Sequence, residues 1–156
     1  MTTLNEYNRR KPIELIKTTG VRITHSSITT LYLVADNVET RTLNDETGIP
    51  RTWQGSSLTF ARPSGGRASI SFGRVGTDVY NILKDITGFS RIEPIRVTLY
   101  DWLSDSDNPK ETVTLYLQSI TTTIDGVTIS ASVTNAATLR VSERYTIGEF
   151  PGLEYA

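Results

Sequence analysis

The sequence predicts an α+β domain, mainly antiparallel β, and three observations lead there. Threonine supplies 24 of the 156 residues, an excess that favours strands over helices. Short alternating apolar runs recur along the chain, separated by clusters of Gly, Pro, Asn and Asp. One long segment, near Val79 to Ile86, switches to helical spacing. At 156 residues the chain is long enough for one domain with its own core.

Taken in order, Thr3 followed by Glu6 fits a capping box for a short, polar helix that Pro12 would stop. Pro12 to Lys17 alternates Ile13 and Leu15 with Glu14 and Ile16, which predicts a strand ended by Gly20. Thr29 to Asp36 predicts a central strand, with Leu31, Leu33 and Ala35 on one face and Tyr32 and Val34 on the other. Asn37 to Gln54 is polar, carries Gly48 and Pro50, and predicts a loop or an extended hairpin arm.

Leu58 to Phe60 and Ala68 to Phe72 alternate on either side of Pro63-Ser64-Gly65-Gly66, which predicts a hairpin. With Thr77 as N-cap, Val79, Ile82, Leu83 and Ile86 fall at i, i+3, i+4 and i+7, and Gly88 follows, so this is the amphipathic helix. Ile95, Val97 and Leu99 alternate before the acidic turn Ser104 to Pro109, after which Val113, Leu115 and Leu117 alternate again. Asp125-Gly126 then predicts a tight turn that sets Ile124 beside Val127, Thr122 beside Ile129 and Ile120 beside Ala131. The apolar parity changes between Leu117 and Ile120, so a bulge is needed near Gln118 or Ser119. The resulting sheet is expected to be a sandwich or partly open barrel with one amphipathic helix and extended arms. Residues 1–149 form the expected domain and 150–156 an extended tail.

The chemistry is sparse. With no cysteine there is no thiolate metal site, disulfide or cysteine nucleophile. His25 is the one histidine, and Ser26 and Ser27 beside it do not make a triad, whose members come from distant parts of a chain. Asp105, Asp107 and Asn108 have calcium-type oxygens, but Pro109 and the missing glycine break the EF-hand pattern. Ser64-Gly65-Gly66-Arg67 lacks the lysine of a phosphate loop. The carboxylates Asp36, Glu39, Asp101 and Asp105 receive no role. Arg62, Arg67, Arg74, Arg91 and Arg96 gather mid-chain and suit contacts with proteins or with phosphate, since the planar guanidinium fork makes bidentate contacts. A net charge of -1 argues against a nucleic-acid partner held by a broad basic field, and no run approaches the ~18 apolar residues of a membrane span.

Read together, PIELIK, TTLYLVAD, ARPSGGRASISFGRVGTDVYNILKDITG, PIRVTLYDWL and ERYTIGEFPGLEYA resemble a family of small minor tail proteins of long-tailed bacteriophages. That family is similar to the amino-terminal part of lambda-type minor tail protein L. The resemblance implies a structural subunit of the tail tip near the baseplate hub, located in the virion tail and assembled in the host bacterial cytoplasm. It also implies a ring around a central channel, a trimer in preference to a hexamer, with neighbouring tail-tip proteins as partners. It implies no enzyme activity and no cofactor: the cysteine-rich carboxyl-terminal region of lambda-type L proteins, associated with an iron-sulfur cluster, has no counterpart here.

A ring needs heterologous contacts, and the candidate interface is the tail, where Phe150, Leu153 and Tyr155 carry apolar area and Pro151 and Gly152 shape a bend. The loop Asn37 to Gln54 and the tip Ser104 to Lys110 are expected to order only on assembly. The alternative is a carbohydrate- or receptor-binding β module of a virion that uses exposed Trp53, Trp102 and tyrosines as stacking platforms.

Overall fold

The computed structural model describes residues 3–10, 15–35, 40–61, 66–73, 76–86, 93–124 and 126–134. Its first element is the short helix α1 (Leu4–Arg10), started by the expected capping box. The Glu6 amide donates to Thr3 Oγ1 at 3.2 Å and the Thr3 amide to Glu6 Oε2 at 3.1 Å. None of its residues is buried.

The first strand departs from expectation. Pro12 to Glu14 lie outside the described residues, Leu15 and Ile16 are not in a strand, and β1 runs over Lys17–Thr24, straight through Gly20. Gly20 does not stop the strand because the space a side chain would take is filled by another residue: a Cβ there would sit 2.8 Å from the Trp102 ring and 2.9 Å from the Leu33 carbonyl oxygen. The pattern Val21, Ile23 was the missed signal, and both are fully buried.

Eight further strands follow: β2 (Leu31–Ala35), β3 (Arg41–Asn44), β4 (Pro50–Ser56), β5 (Leu58–Ala61), β6 (Arg67–Phe72), β7 (Arg96–Leu103), β8 (Glu111–Thr123) and β9 (Gly126–Ser132). They form one sheet in the order β3-β4-β2-β1-β7-β8-β9-β6-β5. All described pairs are antiparallel except β2 with β4, so the expected class holds. The chain passes from β4 to β5 across the single residue Ser57, and β5 comes against β2 without pairing to it. The sheet is therefore curled but not closed, and a two-sheet sandwich describes it only loosely.

The concave face holds the main core. Val21, Ile23, Leu33, Ala68, Ile70, Phe72, Val97, Leu99, Leu115, Ile129 and Ala131 meet there. Helix α2 (Gly76–Lys84) adds Val79 and Leu83, with Ile86 just beyond its end. This is the helix the spacing predicted, begun one residue before Thr77, and Gly88 lies outside the described residues.

The β5–β6 hairpin has the expected pairing, with Phe60 opposite Ile70. The β8–β9 hairpin has the expected irregularity between Leu117 and Ser119 but not the expected register. Thr122 pairs with Val127, Ile120 with Ile129 and Leu117 with Ala131. Gly126 belongs to β9 and pairs with Thr123, so the turn begins one residue earlier, at Ile124. Glycine is required at 126 by its φ of +150° and by the Phe72 carbonyl oxygen, which a Cβ would meet at 2.1 Å. The slip leaves Ile124 fully exposed at the hairpin tip.

The segment read as a loop or arm is folded over its described residues, 40–54. Strands β3 and β4 pair from Arg41 opposite Trp53 to Asn44 opposite Pro50, and Trp53 is fully buried. With Val34, Tyr100 and Trp102 it makes a second core on the opposite face from Val21 and Leu99. Trp53 meets Tyr32, Tyr100 and Trp102 edge-on at centroid distances of 5.1, 5.1 and 4.8 Å. The tip Ser104 to Lys110 is tied to the same hairpin: the Asn44 amide donates to the Asp107 carbonyl at 3.0 Å, and Asn44 Nδ2 to Asn108 Oδ1 at 2.8 Å. Neither segment is an extended arm in its described part, because the second core and the two tips themselves supply the partners that local pattern lacks.

Candidate functional site

Three places on the fold gather chemistry. The first is a cavity of about 270 Å³ lined by Thr24, His25, Ser26, Glu93, Pro94 and Arg96. The turn after β1 buries the His25 side chain completely, and its Nδ1 accepts the Ser27 amide at 3.1 Å. That bond leaves the neutral ring's proton on Nε2, which lies 3.9 Å from Glu93 Oε2. The Ser26 hydroxyl donates to the same Glu93 oxygen. Glu93 thus accepts from the serine, and the imidazole faces the same oxygen from beyond hydrogen-bond reach. A nucleophilic triad needs the imidazole between hydroxyl and carboxylate, so this order cannot activate Ser26 through His25. What the arrangement does is hold the β1–β2 turn against the segment entering β7.

The second place is a set of charges on the aromatic side of the sheet. Arg22 donates to both Glu46 oxygens, at 3.0 and 2.7 Å, and lies over the Tyr100 ring at 5.5 Å. The Tyr100 hydroxyl donates to Glu46 Oε2. Burial, helped by that carboxylate, pushes the Tyr100 phenol well above its usual range. Burial would also raise Glu46, but the bonds from Tyr100 and Arg22 outweigh it and lower its pKa.

In the adjoining turn, burial of Asp45 is likewise overcome. Its Oδ1 accepts the Thr47 hydroxyl at 2.5 Å and the Thr47 and Ile49 amides at 2.9 and 3.1 Å, while Oδ2 accepts Arg51 Nε at 3.1 Å. These hold the carboxyl well below the usual carboxylate range. Buried Asp101 accepts the Thr19 hydroxyl at 2.7 Å and pairs with Lys17 at 3.1 Å. Each carboxylate here has an internal structural partner.

The third place is the surface around β8 and β9. Beside the exposed Ile124, a groove of about 460 Å³ is lined by Gly73, Thr77, Tyr80, Thr122, Thr123, Gly126 and Val127. At the other end of β9, pairing puts Arg67 opposite Ser132, Ser132 opposite Tyr116 and Tyr116 opposite Arg96. These four share the convex face, because their strand neighbours Ala68, Ala131, Leu115 and Val97 are in the core.

The residues singled out from sequence are placed unevenly. Phe150, Pro151, Gly152, Leu153 and Tyr155 lie outside the described residues, as do Asp36, Glu39, Arg62, Arg74 and Arg91. Asp105 pairs with Lys110 at 3.3 Å. Among the described residues no three His, Asp or Glu side chains converge as a metal site, and no helix is long and apolar enough to cross a membrane. Trp53 and Trp102 are buried, so neither is a platform for a sugar ring. Glu93 was missed: 67 residues separate it from Ser26, and no local pattern joins them. The Arg67–Arg96 row was readable in principle, once strand parity and hairpin register were fixed. No family model matches this chain, and a search of curated proteins returns no match.

Proposed function

We propose that the protein is a structural subunit of a bacteriophage tail tip, one copy of a ring around the tail channel, that it works without turnover, and that residues 150–155 contact a neighbouring copy or tail protein. The observation that carries this reading is a surface with two unlike patches at opposite ends of β9. One is the apolar tip at Ile124 with its groove, and the other the arginine row on the convex face. Unlike patches suit heterologous contacts, in which each subunit offers a different surface to the next. The internal pairing of Glu46, Asp45 and Asp101 and the Ser26–Glu93–His25 order support a scaffold role in the same direction.

Imaging of whole virions tests the proposal. The expected result is density for this chain as a trimeric or hexameric ring at the tail tip; a capsid location, or absence from virions, overturns it. Hydrolysis of a glycan or peptide abolished by a single carboxylate or His25 substitution would overturn the non-enzymatic part.

A further inference from the structure

The described end of β9 enters the arginine row at Ser132, beside the exposed Val133. Arg67 and Arg96 are both exposed, and the half-buried Tyr116 lies between them with Ser132. Glu93 is the carboxylate near the Arg96 end, and it is engaged by Ser26 and His25. Three strand spacings of ~4.8 Å separate the backbones that carry the two arginines, about 14 Å in all.

The sequence holds a segment of matching charge and length. Residues 149–156, EFPGLEYA, contain two glutamates and no lysine or arginine. Glu149 and Glu154 are five residues apart, a span of at most ~17 Å when extended, and shorter with a bend at Pro151-Gly152. One carboxylate can therefore reach each guanidinium, and Phe150 and Leu153, which lie between the two glutamates in sequence, supply apolar groups for the Tyr116 ring between the arginines.

We propose that the Arg67–Ser132–Tyr116–Arg96 row is the seat for residues 149–156 of a neighbouring copy. This rests on the reading that the carboxyl-terminal segment joins subunits, and adds the surface it joins. The guanidinium forks donate to the carboxylates of Glu149 and Glu154, and an aromatic ring of the segment stacks on an arginine or on Tyr116. Nucleic acid is the weaker fit, because two arginines on a chain of net charge -1 supply little counterion release.

The chain has no cysteine, so single introduced thiols report proximity without background. Full-length Ser132→Cys and Gly152→Cys proteins, mixed and mildly oxidised, are expected to form a linked dimer about tenfold faster than a Thr112→Cys and Gly152→Cys mixture, Thr112 being exposed near the start of β8, four residues from Tyr116. Arg67→Glu with Arg96→Glu should abolish the advantage, and adding Glu149→Arg with Glu154→Arg should restore it. Equal rates for the two mixtures, rates unmoved by charge reversal, or a link formed only within one chain of the Ser132→Cys/Gly152→Cys double variant would overturn the proposal. So would charge reversal that abolishes binding of a single-stranded oligonucleotide while leaving the link intact. A chain truncated after Glu149 separates the two levels. If it is excluded from virions while the link fails, only the seat is wrong; if it assembles normally, the underlying reading fails.

Discussion

Gly20 and Asp45 show how single residues fix the aromatic side of the sheet. Adding a methyl at Gly20 drives Cβ into the Trp102 ring and the Leu33 carbonyl, and the backbone side of that clash cannot rotate away. Gly20→Ala should therefore cost ~1–3 kcal/mol, the usual range for overpacking, read by urea unfolding. Asp45 accepts four hydrogen bonds within its own turn and from Arg51, so Asp45→Asn should destabilise the fold by ~1–3 kcal/mol at neutral pH. The carboxyl titrates lower in the folded chain than in the unfolded one. Its contribution is therefore complete above the unfolded carboxylate range, about pH 4, and is lost as pH falls through the folded value. Unfolding measured from pH 7 downward should show the gap between wild type and Asp45→Asn narrowing only below about pH 4. A gap that narrows between pH 7 and 5 would contradict this account.

At the scale of elements, the β3–β4 hairpin is the unit whose behaviour differs most from its pattern. Its sequence is polar, yet it is held by two indoles: Trp53 Nε1 donates to the Leu43 carbonyl at 3.0 Å and Trp102 Nε1 to the Asn44 carbonyl at 3.1 Å. The same bonds occupy carbonyls on an end strand of the sheet, which protects it from pairing with other chains. Trp102→Phe keeps an aromatic ring but removes the pyrrole half with its bond, and should cost ~1–3 kcal/mol. Trp53→Ala empties the centre of the second core and should cost ~3–5 kcal/mol, with amide exchange in Arg41–Asn44 rising most.

Where periodicity alone decides an element, the sequence was legible: α2, the β5–β6 hairpin, the bulge in β8 and the capping box of α1 all follow from spacing. Where a distant side chain decides, it was not. Gly20 looks like a breaker until Trp102 is placed over it, and Asn37 to Gln54 looks like an arm until the indoles supply its partners. The β8–β9 register brings Gly126 close against the Phe72 carbonyl, a contact that no local pattern encodes. The candidate surfaces divide in the same way: the arginines are visible in sequence, but their common row appears only with the pairing of four strands.

For the whole molecule, the question is whether the carboxyl-terminal segment belongs energetically to its own domain or to a neighbour. Among the described residues the concave face is built from β1, β2, β6–β9 and α2, and the aromatic face from Val34, Trp53, Tyr100 and Trp102. Phe150, Leu153 and Tyr155 carry the segment's apolar area. Burial of two such side chains against another subunit, at ~25 cal/mol per Å², would contribute a few kcal/mol before the cost of ordering the segment. Deletion after Glu149 should then leave the Tm of the isolated chain within about 2 °C, because ~0.5 kcal/mol or less is at stake in the monomer. The same deletion should remove the protein from assembled tails. Calorimetry of the purified chain and imaging of particles grown with the truncated gene check the two halves separately. A fall of Tm by about 8 °C or more would instead mean that the segment packs on its own domain, as terminal segments often do.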